Sequence, residues 1–247
     1  MNVHVYALKR SGNNVLRKWI TQRRLMAIFG NVRLEHMLPG EAEFDGAGLK
    51  RPLPFPLSRH AVRASGSASF KALSRLPIAH YLGTEDRFVP LHELNQSKTV
   101  HVVLVRHIHH CLASRIQRAH QGSRLAYPIE ETPELHRILD VWVQHVNLLL
   151  NPPAGVVGIY YDRWLQDEEY RRAIGQKLGV RKPSRIPAKR GTGGGGSSFD
   201  GMSAVGDPSA MLNRSNQLNS SDLKPWGRCV NRPDVLEAIA RLESTMK

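Results

Sequence analysis

The sequence predicts an α/β fold: a single-domain, three-layer α/β/α arrangement around a central, mostly parallel sheet of about four to five strands. First, short β-prone segments alternate along the chain with longer segments of helical periodicity. Second, 41% of the 247 residues are hydrophobic, which is enough to bury a core without disulfides. Third, the first β-prone segment leads directly into a glycine turn and a helical segment, an arrangement that aims helix amides at an anion.

The amino-terminal part supplies this first strand–turn–helix unit. Residues 3–8 are β-prone, and the polar turn 11–14 follows at once. Apolar residues then recur at helical spacing, at Leu16, Trp19, Ile20 and Leu25. Residues 39–67 are rich in Pro, Gly, Ser and Arg, so we expect an irregular excursion there.

The middle of the chain predicts two more strands and a helix. Pro77 to Leu82 is a short β-prone segment. Val100 to Val105 is a nearly continuous run of branched apolar residues, which is typical of a strand buried on both faces. A helix is expected to follow from Ile108 to Ala119.

The carboxyl-terminal part continues the alternation. Helices are predicted over Glu134–Leu150, Asp167–Leu178 and Pro233–Ser244, with a strand over Gly155–Tyr161 between the first two. Residues 181–222 are first basic and then rich in Gly, Ser and Asn. They are expected to form either a loop that covers a cofactor or a flexible segment.

The charge of the chain favours anionic partners. Lys and Arg number 35 against 21 Asp and Glu, a formal net charge of +14, which leaves nucleic acid, lipid headgroups, phosphorylated cofactors and acidic substrates open. The two cysteines, Cys111 and Cys229, form no CxxC pair, so neither a disulfide framework nor a zinc knuckle is expected. The sequence lacks a long apolar run, and we expect a cytoplasmic protein without a transmembrane segment.

The turn from Lys9 to Asn14 carries the first candidate anion site. A phosphate or sulfate group needs converging N–H donors, and Gly12 lets the backbone come close to it. Arg10 adds a guanidinium, and Asn13 and Asn14 add side-chain donors. The turn is not a Walker loop, because GxxxxGK[ST] is absent. An ordinary strand–helix turn is the simpler alternative.

A second candidate anion site begins where the predicted strand 100–105 ends. Arg106 stands at the carboxyl end of this strand, where α/β sheets bind ligands, and Ser114 follows eight residues later on the next helix. One anion could contact both side chains. Alternatively, Arg106 pairs with a carboxylate and Ser114 packs in the interior.

Together the two segments resemble the sulfotransferases that use 3′-phosphoadenosine-5′-phosphosulfate (PAPS). In that family a Lys-Ser-Gly-Thr-Thr loop, P-loop-like in form, holds the 5′-phosphosulfate, and an Arg with a Ser eight residues later holds the 3′-phosphate. The residues Arg10-Ser11-Gly12-Asn13-Asn14 match the first motif, and Arg106 with Ser114 matches the second. Two weaker matches are Tyr161, in a segment like the family's Tyr-Glu-x-Leu strand, and Arg190-Gly191, in a segment like its late Arg-Lys-Gly loop.

The loop departs from the family pattern. Arg10 aligns with the family's Lys, unless the register slips by one and Lys9 takes that place. An Arg can stabilise the leaving oxygen only as a fixed cation, since it does not give up its proton. Asn13 and Asn14 replace hydroxyl residues but can still donate hydrogen bonds.

The resemblance implies a catalytic base that takes the proton of the attacking hydroxyl. Many relatives place a His at the end of the strand before the Arg strand, and His80 is predicted to occupy that place as the catalytic partner of Arg10. Glu43 and Glu85 are alternative bases.

The resemblance implies transfer of a sulfuryl group from PAPS to a hydroxyl or amine of an acceptor, with 3′-phosphoadenosine-5′-phosphate (PAP) as product. The basic charge favours an anionic carbohydrate among the acceptors. No metal is expected, because fixed cations and backbone amides would stabilise the charge in this reaction. The cluster His107, His109 and His110 is not expected to bind one either, because residues one or two apart on a helix do not face one another. The alternatives are a catalytically silent nucleotide- or partner-binding protein on the same fold, and a basic nucleic-acid-binding protein, for which we find no motif and which we do not expect.

Overall fold

The computed structural model of the chain describes residues 2–21, 27–29, 80–91, 94, 99–120, 131–187, 212, 216 and 226–245. Its five strands are β1 (Asn2–Ala7), β2 (Ala27–Phe29), β3 (His80–Glu85), β4 (Thr99–Val105) and β5 (Val156–Tyr160). Its six helices are α1 (Asn13–Thr21), α2 (Ile108–Arg118), α3 (Pro133–Leu150), α4 (Tyr161–Gln166), α5 (Glu168–Lys177) and α6 (Pro233–Ser244).

The strands form one sheet in the order β2-β3-β1-β4-β5, and every strand pair is parallel. β1 is central, with Ala7 beside Glu85 of β3 and beside Leu104 of β4. On one side of β1 the edge strand β2 comes first in the chain and β3, next to β1, comes second; the chain then crosses to the other side for β4 and β5. The carboxyl ends next to such a reversal are where open α/β sheets bind ligands.

Helices cover both faces of the sheet. Alternate residues of β1, β4 and β5 pack with α1, α4 and α5 in one core, where the rings of Trp19 and Trp164 meet edge to face at 5.3 Å. The other set packs with α2, α3 and α6 around the buried Trp142. The predicted three-layer α/β/α fold with a parallel sheet is confirmed.

Local sequence signals explain where two helices begin. The Thr132 side chain accepts a hydrogen bond of 3.2 Å from the amide of Leu135, and Pro133 occupies the first turn of α3. Asp167 caps α5 in the same way, accepting from the amide of Tyr170 at 2.9 Å.

Two boundaries differ from the sequence prediction. The strand expected over Pro77–Leu82 lies at His80–Glu85, so the prediction that His80 ends its strand is wrong. The strand expected over Gly155–Tyr161 ends at Tyr160, because the pairing with β4 stops there and Tyr161 begins α4. The predicted excursion 39–67 lies outside the described residues, as does most of the predicted loop 181–222.

None of the described helices is both long enough and apolar enough to cross a membrane.

Candidate active site

Three loops and the start of one helix lie at the carboxyl edge of the sheet. The loops follow β1, β3 and β4, and α4 follows β5 directly; the parallel registers bring the ends of these strands side by side. Every sequence-predicted site residue that the structure describes, except His80, lies in these loops or on the helices that follow them. His80 begins β3, five residues before the edge, or about 16 Å at the usual strand rise.

The loop between β1 and α1 turns tightly around Ser11 and Gly12. The amide of Ser11 donates to the carbonyl of Leu8 at 3.2 Å, and the carbonyl of Gly12 accepts from the amides of Val15 at 3.0 Å and Leu16 at 3.1 Å. The first amides of a helix have no acceptor within the helix, so those of α1 are suited to meet an anion.

Both the backbone conformation at position 12 and the nearby side chain of Tyr161 require a glycine there. The φ of Gly12 is +96°, which residues with a side chain rarely adopt, and a Cβ there would overlap the ring of Tyr161. Arg10 also has a positive φ, of 72°. A non-glycine residue held in this region marks a backbone constrained by its surroundings, which is common in binding loops.

Arg10, Arg106 and Ser114 come together across about 100 residues of sequence. Nε of Arg10 donates to Oγ of Ser114 at 3.2 Å, and Nη1 of Arg106 donates to the carbonyl oxygen of Arg10 at 2.9 Å. The Arg106 guanidinium also lies 5.5 Å from the centre of the Tyr161 ring. The two predicted anion motifs therefore form one cluster at the edge of the sheet.

Asp162 balances the buried charge of Arg106. Its Oδ1 lies 3.8 Å from Nε of Arg106, both side chains are only 4% exposed, and its Oδ2 accepts from the amide of His107 at 2.8 Å. Burial raises the pKa of Asp162, but the hydrogen bond from His110 and the charge of Arg106 outweigh it, so the net pKa is lowered. The carboxylate thus stays ionised opposite the guanidinium.

Asp86 organises the neighbouring part of the cluster. Its Oδ1 accepts from the amide of Lys9 at 2.9 Å and from the Arg115 guanidinium, and its Oδ2 lies 3.8 Å from Nζ of Lys9. The amide of Asp86 in turn donates to the carbonyl of Ala7 at 2.9 Å. These contacts join the β1 loop to the end of β3.

Glu85 stands where β3 ends, beside the start of α1. Nδ2 of Asn13 donates to its Oε1 at 2.7 Å, and Oδ1 of Asn13 is buried with no hydrogen-bond partner among the described residues. Burial raises the pKa of Glu85, against the lowering effect of the Asn13 hydrogen bond. A carboxylate with a raised pKa is a better proton acceptor than an ordinary surface one.

The three histidines at the start of α2 lie against one another, contrary to the expectation from helix geometry: the ring centre of His107 is 5.3 Å from that of His109 and 5.3 Å from that of His110. Nε2 of His107 lies 3.3 Å from Glu243 on α6, and Nδ1 of His110 lies 3.3 Å from Asp162. Burial, followed by the nearby imidazoles, lowers the pKa of His107 and of His109.

The structure describes four of the predicted residues only in part or not at all. Arg190, Gly191 and the alternative base Glu43 lie outside the described residues. Asn14 lies in the first turn of α1, but its side chain is not described.

Sequence reasoning did not identify Asp86, Arg115 or Asp162. Asp86 directly follows Glu85, and Asp162 stands in the segment that resembles the family's Tyr-Glu-x-Leu, so an acidic residue at each strand end was the available signal. No sequence signal pointed to Arg115, because its partner Asp86 is 29 residues away along the chain.

Comparison with known proteins supports the fold but not a close relationship. No protein-family model matches the sequence, and no curated protein matches it. The mouse sulfotransferase SULT7A1, solved in complex with PAP, is 15% identical with a TM-score of 0.51, over 97% of this chain and 88% of its own. The sulfotransferase domain from the curacin biosynthetic pathway is 14% identical with a TM-score of 0.53, over 98% of this chain and 97% of its own. The chain therefore has the sulfotransferase fold, and its sequence is only 14–15% identical to these two proteins.

Proposed function

We propose that this protein is a sulfotransferase that moves a sulfuryl group from PAPS to a hydroxyl of an acceptor. The contact of Arg10 with Ser114 and of Arg106 with Arg10 carries the proposal, because it joins both motifs of the family resemblance. The PAP complex of the mouse neighbour adds support for a 3′-phosphorylated adenine nucleotide.

The described residues fit such a nucleotide. Two guanidiniums and a hydroxyl supply fixed donors for phosphate oxygens, and the α1 amides supply more. Gly12 lets the loop turn tightly against the ring of Tyr161, which places the loop at the start of α1. In the proposed arrangement the 5′ end lies on the loop from Lys9 to Asn14, and the 3′-phosphate lies near Arg106 and Ser114. Arg190 and Gly191 are proposed to close over that phosphate.

The proposed reaction is a single displacement at sulfur. The acceptor oxygen forms a bond to sulfur as the bond from sulfur to the bridging phosphate oxygen breaks, so PAP leaves with the electron pair. Arg10 and the loop amides stabilise the charge that develops on the leaving oxygen. The proton of the acceptor hydroxyl passes to a base.

Of the three candidate bases, Glu85 has the strongest support. Its place at the carboxyl end of β3 and its raised pKa suit proton transfer, whereas His80 begins the same strand. The buried Oδ1 of Asn13 could accept a hydrogen bond from the acceptor and orient it. The proposed site thus has an Arg, in place of the family's Lys, at the leaving oxygen and a Glu as the base.

The basic charge favours an anionic acceptor such as a carbohydrate. A cytoplasmic location is part of the same proposal.

Two measurements test this function. Calorimetric titration should give tighter binding of PAP than of ADP, ATP or AMP, with the preference lost in Arg106→Lys. Transfer of radiolabelled sulfuryl from PAPS should then be detected with at least one hydroxyl acceptor in a panel that includes sulfated polysaccharides. Equal affinity for PAP and ADP would refute the nucleotide site. PAP binding without transfer to any acceptor would favour the alternative, a catalytically silent nucleotide-binding protein in which Arg10 stands in place of the family's Lys.

A further inference from the structure

Three side chains with metal-binding groups meet at the amino end of α3. Glu131 and His136 flank its N-cap residue, and Cys229 lies on a helical turn, 226–230, which precedes α6. Nε2 of His136 is 3.4 Å from Oε1 of Glu131 and 3.9 Å from Sγ of Cys229. Among the described residues, one ligand atom from each of the three lies within 4.8 Å of the other two.

These separations are close to those of a tetrahedral zinc site. Zinc holds nitrogen and oxygen ligands at about 2.0–2.2 Å and sulfur at about 2.3 Å, so neighbouring ligand atoms lie roughly 3.3–3.6 Å apart. The His136–Glu131 distance is already in that range, and the His136–Cys229 distance exceeds it by a few tenths of an ångström. Small side-chain rotations would bring the three atoms into position.

The surroundings hold the two segments together before any ion binds. Nη2 of Arg232 donates to Asp140 at 2.5 Å, and Nη1 of Arg232 donates to the carbonyl of His136 at 3.4 Å. Cys229 is buried, whereas Glu131 and His136 are each about 40% exposed. An ion there could enter from solvent and keep a water as its fourth ligand.

We propose that Glu131, His136 and Cys229 bind one zinc ion, with a water molecule as the fourth ligand. The Cys229 thiol releases its proton to solvent when the sulfur–zinc bond forms, and His136 binds through its neutral Nε2. The ion fastens the turn 226–230 to the start of α3. No step of the proposed sulfuryl transfer uses it, so the two proposals stand or fall separately.

Cobalt(II) is the probe, because thiolate ligation and tetrahedral geometry give it characteristic visible and near-ultraviolet absorption. Titration of the metal-free full chain should give one tight equivalent with a sulfur-to-cobalt charge-transfer band, and zinc should displace it. The band should vanish in Cys229→Ser, and affinity should fall roughly tenfold or more in His136→Gln and in Glu131→Gln. Zinc should raise the melting temperature of the wild type but not of these variants.

Matched controls come from the other cysteine and from another histidine. Cys111→Ala and His109→Gln should keep the cobalt spectrum and the zinc-dependent rise in melting temperature. Absence of a charge-transfer band in the wild type, or a band that survives in Cys229→Ser, would overturn the proposal. If Cys229→Ser does not fold, unchanged cobalt affinity in both His136→Gln and Glu131→Gln would overturn it equally.

Discussion

Arg106 donates a hydrogen bond of 2.9 Å from its guanidinium to the carbonyl oxygen of Arg10, a residue 96 positions earlier in the chain. The guanidinium of Arg106, directly after β4, thus holds the loop that follows β1. Since Arg106 is only 4% exposed and lies against Asp162, the position of the loop depends on a buried ion pair. The same contacts therefore hold in place both the loop and the residues that are predicted to bind phosphate.

The contact between Arg10 and Ser114 should appear as energetic coupling in nucleotide binding. Arg10→Ala and Ser114→Ala should each weaken PAP binding, roughly ten- to a hundredfold for the loss of the charged donor and less for the hydroxyl. Because Nε of Arg10 donates to Oγ of Ser114, each side chain helps to hold the other in place, so the double variant should lose less than the sum of the two single losses. Calorimetric Kd values for the four proteins measure this coupling.

Ser244→Ala is the matched control for that cycle. Its hydroxyl donates to the carbonyl of Arg241 at the end of α6, so its removal should leave PAP affinity unchanged. Strictly additive losses in Arg10→Ala and Ser114→Ala would mean that the two side chains act independently.

Gly12 and Gly227 offer a matched pair of substitutions with opposite expectations. Gly12→Ala places a Cβ against the Tyr161 ring at a φ of +96°, so we expect a loss of about 1–3 kcal/mol from the backbone alone, and more from the overlap. A Cβ at Gly227 has no atom within 4 Å, so Gly227→Ala should be neutral or slightly stabilising. Urea unfolding measures both, and equal stability of the two variants would contradict the strained loop.

The strands and helices with strong periodicity could be predicted from the sequence. The branched apolar run of β4 and the one-sided apolar pattern of α3 gave nearly the observed bounds. β3 was placed three residues early, since its sequence His-Tyr-Leu-Gly-Thr-Glu has a glycine and ends in polar residues. Thr84 is buried there, and its hydroxyl lies 3.3 Å from Nε2 of His4, a tertiary contact that no local sequence pattern indicates.

The candidate site could be predicted only in part, because its tertiary contacts also have no local sequence signal. Arg10, Arg106 and Ser114 stood in motifs of known spacing, so their convergence could be expected. The partners that neutralise or hold them, Asp162 and Asp86, depend on the ends of β5 and β3. Both of those ends were misplaced in the sequence prediction.

The ion pair of Arg106 with Asp162 should dominate the acid stability of the fold. Asp162→Asn removes the negative charge that faces a buried guanidinium, so we expect a loss of about 3 kcal/mol near neutral pH. Asp140→Asn is the control, because its Arg232 partner lies nearer the surface, and it should cost about 1 kcal/mol or less.

The loss of folding stability in Asp162→Asn should depend on pH in one direction. The folded pKa of Asp162 is lowered below its usual 3.8, so its contribution is present above pH 3.8 and disappears as the pH falls through the lower folded pKa. The stability difference between wild type and Asp162→Asn should therefore be constant above about pH 5 and shrink below pH 3.8. Urea unfolding across this range is the measurement, and a difference that grows on acidification would contradict the assignment.

Glu85 should control the pH dependence of turnover if it is the base. Glu85→Gln should lower kcat roughly a hundredfold or more while PAP affinity stays nearly unchanged, because the amide cannot accept a proton. In the wild type, kcat/KM should rise as the pH increases through the raised pKa of Glu85, above its usual 4.5. The Asn13 hydrogen bond lowers that pKa, so Asn13→Ala should move the rise to still higher pH. Asn147→Ala is the control for the amide, since Asn147 contacts Arg241 on α6 and should leave the profile in place. Normal turnover in Glu85→Gln, with loss of turnover in His80→Gln, would return the role of base to His80.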